Sequence, residues 1–152
     1  MSLQSLRGFA VSFSCAHFYR HLKWSDEKNQ STFGRCFSLG NHGHGHDYKL
    51  WIEAAGPWCN SEKFKILKAA GLRLQEYLDH RHLNYEVPFF QNKTSAEASL
   101  RIPTTENLVL FCRDFLQQEL CCDLSQISLT LHENAWLGSA ISSCKPPQHQ
   151  DP

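Results

Sequence analysis

No uninterrupted apolar run of roughly 18 residues occurs in this 152-residue chain, so nothing in it reads as a membrane-spanning helix. Net charge is missing as well. Fifteen basic residues balance fifteen acidic ones, which argues against broad electrostatic capture of nucleic acid or of an anionic membrane surface. The seven cysteines (15, 36, 59, 112, 121, 122, 144) contain no CxxC pair, and their odd count has no repeating framework. The opening "MSLQSLRGFAVSF" has one arginine and a broken apolar stretch, without the pattern of a secretory signal. Reduced thiols in the cytoplasm are therefore expected. There is no internal repeat and no low-complexity linker.

What remains is ordinary in bulk and unusual in one place. Hydrophobic content is 41% with 20% charged residues, as in a globular domain. A chain of this size buries roughly 68–70% of its unfolded surface. One domain over 1–142 with a C-terminal tail at 143–152 is the expectation. "GFAVSFSCAH" alternates, with Phe9, Val11, Phe13, Cys15 and His17 on one face, and reads as a first strand. "RHLKWSDEKNQSTFGRC" is polar and loop-like, and "GHDYKLWIEAA" reads as a second strand. "EKFKILKAAGLRLQEYLDH" suits a helix with Phe64, Leu67, Ala70, Leu74 and Leu78 on one stripe.

The stretch from Arg81 to Pro103 reads as irregular. A second helix follows in "TTENLVLFCRDFLQQEL", with Thr104 or Thr105 as its cap and Glu106 in the first turn. "SQISLTLHE" alternates again, placing Ile127, Leu129, Leu131 and Glu133 on one face, and "AWLGSAI" completes a hairpin-like pair. This order of strands, helix, helix, strands is α+β, with an antiparallel sheet covered on one side. Such a small sheet leaves apolar surface and open edges to satisfy, so oligomerisation is expected.

The unusual place is "NHGHGHDYKLWI", residues 41–52. Along a strand, His42, His44 and His46 point the same way, in one row with Tyr48, Leu50 and Ile52. Zinc takes neutral imidazole nitrogens, and a catalytic site uses three protein ligands with a fourth position open. Two histidines two apart supply a pair of ligands, and His17, ending the neighbouring strand, can supply the third. Spacing alone leaves the alternative of a polar loop. Cys36 stands shortly before the cluster, and Asp79 beside His80 is a pairing that can tune a proton carrier. Glu133, ending an apolar row, wants a partner or a ligand.

Taken in order, "SFSCAH", "SDEKNQSTFGRC", "HGHDYK", "LDHRHLN", "VPFF", "TTENL" and "LHEN" resemble the 6-pyruvoyltetrahydropterin synthases and the related 6-carboxytetrahydropterin synthases of queuosine biosynthesis. The resemblance runs over roughly residues 10 to 135. It implies the tunnelling fold: a four-stranded antiparallel sheet with two helices on one face, three copies closing a barrel and two trimers pairing into a homohexamer. It implies Zn2+ held by His17, His44 and His46, a catalytic thiol at Cys36, and an Asp79–His80 dyad contributed by a neighbouring subunit. It further implies that Thr104, Thr105 and Glu106 line a pterin pocket, with Glu133 anchoring the pterin.

The implied activity is that of a zinc-dependent carbon–oxygen lyase. It converts 7,8-dihydroneopterin triphosphate to 6-pyruvoyltetrahydropterin with loss of triphosphate. The carboxy-forming branch uses the same residues and also sheds acetaldehyde, and a homologue that binds pterin and zinc without turnover is a third reading. Relative to the family pattern, the gap from Cys36 to the HGH is long. The extra His42 allows a register in which His42 and His44 are the ligands, while the following "DYK" favours His44 and His46.

Overall fold

The computed structural model describes residues 6–91 and 101–142. The expected tail from 143 onward, with Cys144, lies outside the described residues, as do residues 92–100 of the stretch expected to be irregular.

The first strand, β1 (Leu6–His17), follows the sequence alternation: Val11, Phe13, Cys15 and His17 are buried, and Ser12 between them is exposed. Strand β2 (His44–Ala55) runs antiparallel to it over its whole length, from Leu6↔Ala55 to His17↔His44. It buries Tyr48, Leu50, Ile52 and Ala54 on the same face. Strand β4 (Ile127–His132) pairs antiparallel with the far edge of β2, and β5 (Gly138–Ile141) folds back on β4 as the expected hairpin.

The sheet differs from the expected four antiparallel strands. It has five, in the order β3-β1-β2-β4-β5, because β3 (Arg81–His82) lies parallel to Cys15–Ala16 of β1. Helix α2 (Ser61–Leu78) ends at Asp79, and His80 adopts a left-handed φ of 61° and donates its N–H to the Ser14 carbonyl at 2.7 Å. That turn lays the chain beside β1 in the parallel sense.

The two long helices cover one face. Helix α2 is capped by the Asn60 side chain, which accepts from the Glu62 N–H, and buries Phe64, Leu67, Ala70, Gly71, Leu74 and Leu78. At Gly71 a Cβ would come within 2.8 Å of the Phe9 ring and 3.0 Å of Ile52 Cδ1, so glycine is what lets helix and sheet approach this closely. Helix α4 (Thr105–Leu120) is capped by Thr104, whose side chain accepts from the Asn107 N–H, and buries Leu108, Val109, Cys112 and Leu116. Each leucine or isoleucine sealed between these layers stabilises the fold by roughly 1.5–3 kcal/mol relative to exposure. The opposite face is bare, with Ser12, Lys49, Trp51 and Glu53 exposed.

Two segments expected to be without regular structure contain short helices. Residues Asp26–Phe33 form α1, capped by Ser25, and a 3-10 turn follows at Gly34–Cys36. Residues Leu83–Glu86 form α3, a single turn. No helix among the described residues is long and apolar enough to cross a membrane.

Candidate metal centre

The core-facing row of β1 and β2 continues past the apolar core into imidazoles. His17 pairs with His44, and His46 is the Cα partner of Cys15. Ring centroids lie 5.1 Å apart for His17 and His44, 4.8 Å for His17 and His46, and 4.6 Å for His44 and His46. His17 is fully buried, and the other two are half-buried. His42 does not join the row. Strand β2 begins at His44, because Asn41 and Gly43 take positive φ values of 54° and 72° and turn the chain. The face-sharing expected of His42 is thus corrected, and the alternation holds only from His44.

The end of β1 is pinned from both sides. The Asn84 side chain accepts from the Phe18 N–H at 3.0 Å and donates to the Phe18 carbonyl at 3.1 Å, imitating a neighbouring strand. On the other side Gly43 packs so tightly on the His17 carbonyl that a Cβ would collide with it.

Cys36 reaches the same place through the 3-10 turn after α1, its carbonyl accepting from the Tyr19 N–H at 2.7 Å. Donor atoms of His17, Cys36 and His44 lie within 4.8 Å of one another, and so do those of His17, His46 and Glu133. Glu133 follows the last residue of β4 and is 8% exposed, with Oε1 3.3 Å from His46 Nδ1. Burial raises the Glu133 carboxyl, against the opposing pull of His44 and of a hydrogen bond from Tyr48. Burial and then Glu133 push the Cys36 thiol up.

His17 is pushed down to about 3, by burial first and then by His46, His44 and His82. Burial also lowers His44 and His46. The imidazoles are therefore neutral, as metal ligation requires. His17 Nε2, His46 Nε2 and Glu133 Oε2 are buried without a hydrogen-bond partner. Buried polar atoms left unpaired cost about 1–3 kcal/mol each, and a cation at their centre removes that cost. The donor set fits a zinc ion.

The remaining expected site residues divide. Asp79 and His80 do pair, Oδ2 to Nδ1 at 2.8 Å, with the other Asp79 oxygen accepting from the Ser14 N–H at 2.8 Å. The His80 side chain is 84% exposed, and among the described residues no hydrogen bond or ion pair ties it to Cys36. It shares with His46, Ser14, Asp47, Arg81 and Glu86 a cleft of about 380 Å3. Thr104 caps α4. Thr105 is buried, its hydroxyl 2.8 Å from that of Ser139, which ties α4 to β5. Glu106 is exposed, and its charge reaches the Tyr19 phenol.

Three residues at the site went unassigned by sequence. Tyr48 places its hydroxyl 2.9 Å from His17 Nδ1, Tyr19 packs its ring 4.8 Å from that of His17, and Asn84 holds the strand end. Only Tyr48 carried a signal, as the next member of the histidine row.

With this geometry in place, likeness to known proteins becomes informative. Residues 9–139 match the family model of 6-pyruvoyl tetrahydropterin synthase. The chain is 31% identical over 116 residues to 6-pyruvoyl tetrahydrobiopterin synthase of Homo sapiens, covering 72% of each chain. It is 30% identical over 128 residues to the enzyme of that name from Poecilia reticulata, covering 80% of this chain and 79% of that one. Among solved structures, the Caenorhabditis elegans 6-pyruvoyl tetrahydropterin synthase superposes with a TM-score of 0.74 at 24% identity, over 92% of this chain and 96% of the other, and so shares the fold.

Proposed function

The chain belongs to the 6-pyruvoyl tetrahydropterin synthase family, and from that premise we propose that it is a zinc-dependent carbon–oxygen lyase. It converts 7,8-dihydroneopterin triphosphate to 6-pyruvoyltetrahydropterin, releasing triphosphate in the cytoplasm. The observation that supports this reading is that His17 belongs to two donor clusters at once, one with Cys36 and His44 and one with His46 and Glu133, with His17 Nε2 and His46 Nε2 buried and unpaired.

When bound there, zinc supplies Lewis acidity that makes the C–H bonds beside the substrate's side-chain hydroxyls easier to break. His17, His44 and His46 are its ligands. Cys36 Sγ takes the proton released from carbon. Burial and Glu133 hold its thiol up, and zinc held by the neighbouring imidazoles would supply the positive charge that shifts it toward the thiolate a base requires. Glu133 receives the amino-pyrimidinone edge of the pterin. Its Oε2 is buried and unpaired, and a charge-assisted contact there fixes the ring so that the reacting carbon faces the thiol. Thr104, Thr105 and Glu106 form the adjoining wall.

Asp79 and His80 act as the proton carrier for Cys36 of a neighbouring copy within a homohexamer built as a dimer of trimers. The exposure of His80, the bare sheet face and the open edges at β3 and β5 support that assembly.

Incubation with 7,8-dihydroneopterin triphosphate, followed by assay of triphosphate and the mass of the pterin product, tests the activity. Absence of triphosphate release rejects it. A product that retains only a carboxyl on the ring, with acetaldehyde released, assigns the chain to the carboxy-forming branch.

A further inference from the structure

Spacing in the sequence admits His42 to the row of imidazoles, and the fold keeps it out by tying it down. The His42 N–H donates to the Ser38 hydroxyl at 3.2 Å, and its ring lies so close to Gly40 that a Cβ there would meet it at 2.6 Å. Its carbonyl accepts from His82 Nε2 at 2.9 Å.

His82 belongs to two parts of the site at once. Its backbone, in β3, is the Cα partner of Ala16, the residue before His17. Its side chain crosses to the loop that ends on His44. The ring is half-buried, with its centroid 4.5 Å from that of Tyr85 and 5.8 Å from that of Phe18. Tyr85 donates its own hydroxyl to the next carbonyl of the loop, that of Asn41, at 2.6 Å.

We propose that His82, assisted by Tyr85, is a positioning residue for the metal centre: it holds the Asn41–Gly43 loop against the end of β1, and so presents His44 while keeping His42 away. The direction of the bond is forced, because a carbonyl oxygen only accepts and His82 must give an N–H from Nε2. Its Nδ1 is left buried without a partner. A ring without nitrogens would fill the same space between Phe18 and Tyr85 and strand no polar atom. What it would lack is the donor to His42.

The loop depends on such a tie. Asn41 and Gly43 take positive φ values, and the β1 ladder reaches no further than His44. Loops of this kind order with little free energy to spare. Metal affinity scales with the fraction of chains whose ligands already stand in place. Loosening the loop therefore weakens the metal, although among the described residues no hydrogen bond joins His82 to a ligand. The inference rests on the reading of His17, His44 and His46 as metal ligands.

The test uses the full chain and zinc itself, with affinity measured by competition with a chelator. Cobalt in place of zinc gives an absorption spectrum that reports ligand geometry. His82→Phe keeps a ring and removes the donor, His82→Gln puts an amide N–H where Nε2 stands, and Tyr85→Phe removes only the second tie. Zinc binding is expected to weaken about tenfold in His82→Phe with an altered cobalt spectrum, and both are restored in His82→Gln. Tyr85→Phe weakens binding about threefold. A merely structural role would lower the midpoint in urea and leave affinity and spectrum unmoved; that result overturns the proposal, and so does a His82→Gln no better than His82→Phe. If His82→Phe does not fold, Tyr85→Phe decides, and wild-type affinity there overturns the proposal. Wild-type protein that binds no zinc overturns the ligand reading and this role together. Affinities in the expected order, in a protein that releases no triphosphate, overturn the proposed activity and leave the role of His82 standing.

Discussion

His17 and His44 are the last pair of the β1–β2 ladder, Cα partners with ring centroids 5.1 Å apart. Two long strands that pair over their full length thus end on two candidate ligands, and the precision of the site derives from the sheet. A slip of one residue in that register would turn one imidazole to the bare face, so the same pairing that orders the core also assembles the centre.

Removing a ligand and removing the base should give different signatures. His17→Ala is expected to lose bound zinc and turnover together. Cys36→Ala is expected to keep about one zinc per chain, the three imidazoles sufficing, while triphosphate release drops by roughly a hundredfold or more. Elemental analysis beside a triphosphate assay checks both. A fully active Cys36→Ala protein rules out the thiol as base.

Glu133→Gln preserves shape and removes charge. The loss of a charge-assisted contact costs roughly 1.5–3 kcal/mol, so pterin affinity is expected to fall about tenfold to a hundredfold. Titration calorimetry with a non-reacting pterin measures it. Unchanged affinity would place the pterin elsewhere.

Gly43→Ala combines two costs at one position. A left-handed φ of 72° is unfavourable for alanine by about 1–2 kcal/mol, and the new Cβ meets the His17 carbonyl. The expected outcome is a lower midpoint in urea and weaker zinc binding, since the displaced loop carries His44 with it. A midpoint equal to that of wild type contradicts this packing.

Asp79 gives the chain an acid-sensitive contact. Its carboxyl is held below the ordinary range by the Ser14 N–H first and then by His80. A folded value below the unfolded one means that its stabilisation is present above the unfolded value, about 3.9, and is lost as pH falls through the folded value. The gap in denaturation midpoint between wild type and Asp79→Asn should therefore be open at neutral pH and close as pH drops below about 4. A gap that stays constant down to acid denaturation contradicts the contact.

Much of this was legible in the residues because alternation is a local signal. Val11, Phe13 and Cys15 in β1, Leu50 and Ile52 in β2, and Ile127, Leu129 and Leu131 in β4 all announce their buried face. The stripe of α2 is equally plain. Helix α1 was not, since it buries only Asn29 and offers no apolar stripe; its one cue is Ser25 followed by Asp26 and Glu27, a cap with acids in the first turn. Strand β3 is two residues long, and its pairing with Cys15 and Ala16 depends on contacts remote in sequence. The approach of Cys36 to His17 was signalled only by the family resemblance, because it runs through the Tyr19–Cys36 backbone bond and not through spacing.

That bond has a counterpart at the far end of the same stretch. Cys36 is fastened to Tyr19, and Phe37 is buried beneath the Arg20 guanidinium. Beyond them, Tyr85 donates to the Asn41 carbonyl at 2.6 Å and His82 Nε2 meets the His42 carbonyl at 2.9 Å. Ser38 is folded onto the second mooring, accepting from the Asn41 N–H at 3.0 Å and the His42 N–H at 3.2 Å, and Leu39 and Gly40 make the turn between. The separation of sulfur and imidazole is set by these two moorings, so the count of residues between them says little about how far apart they end up.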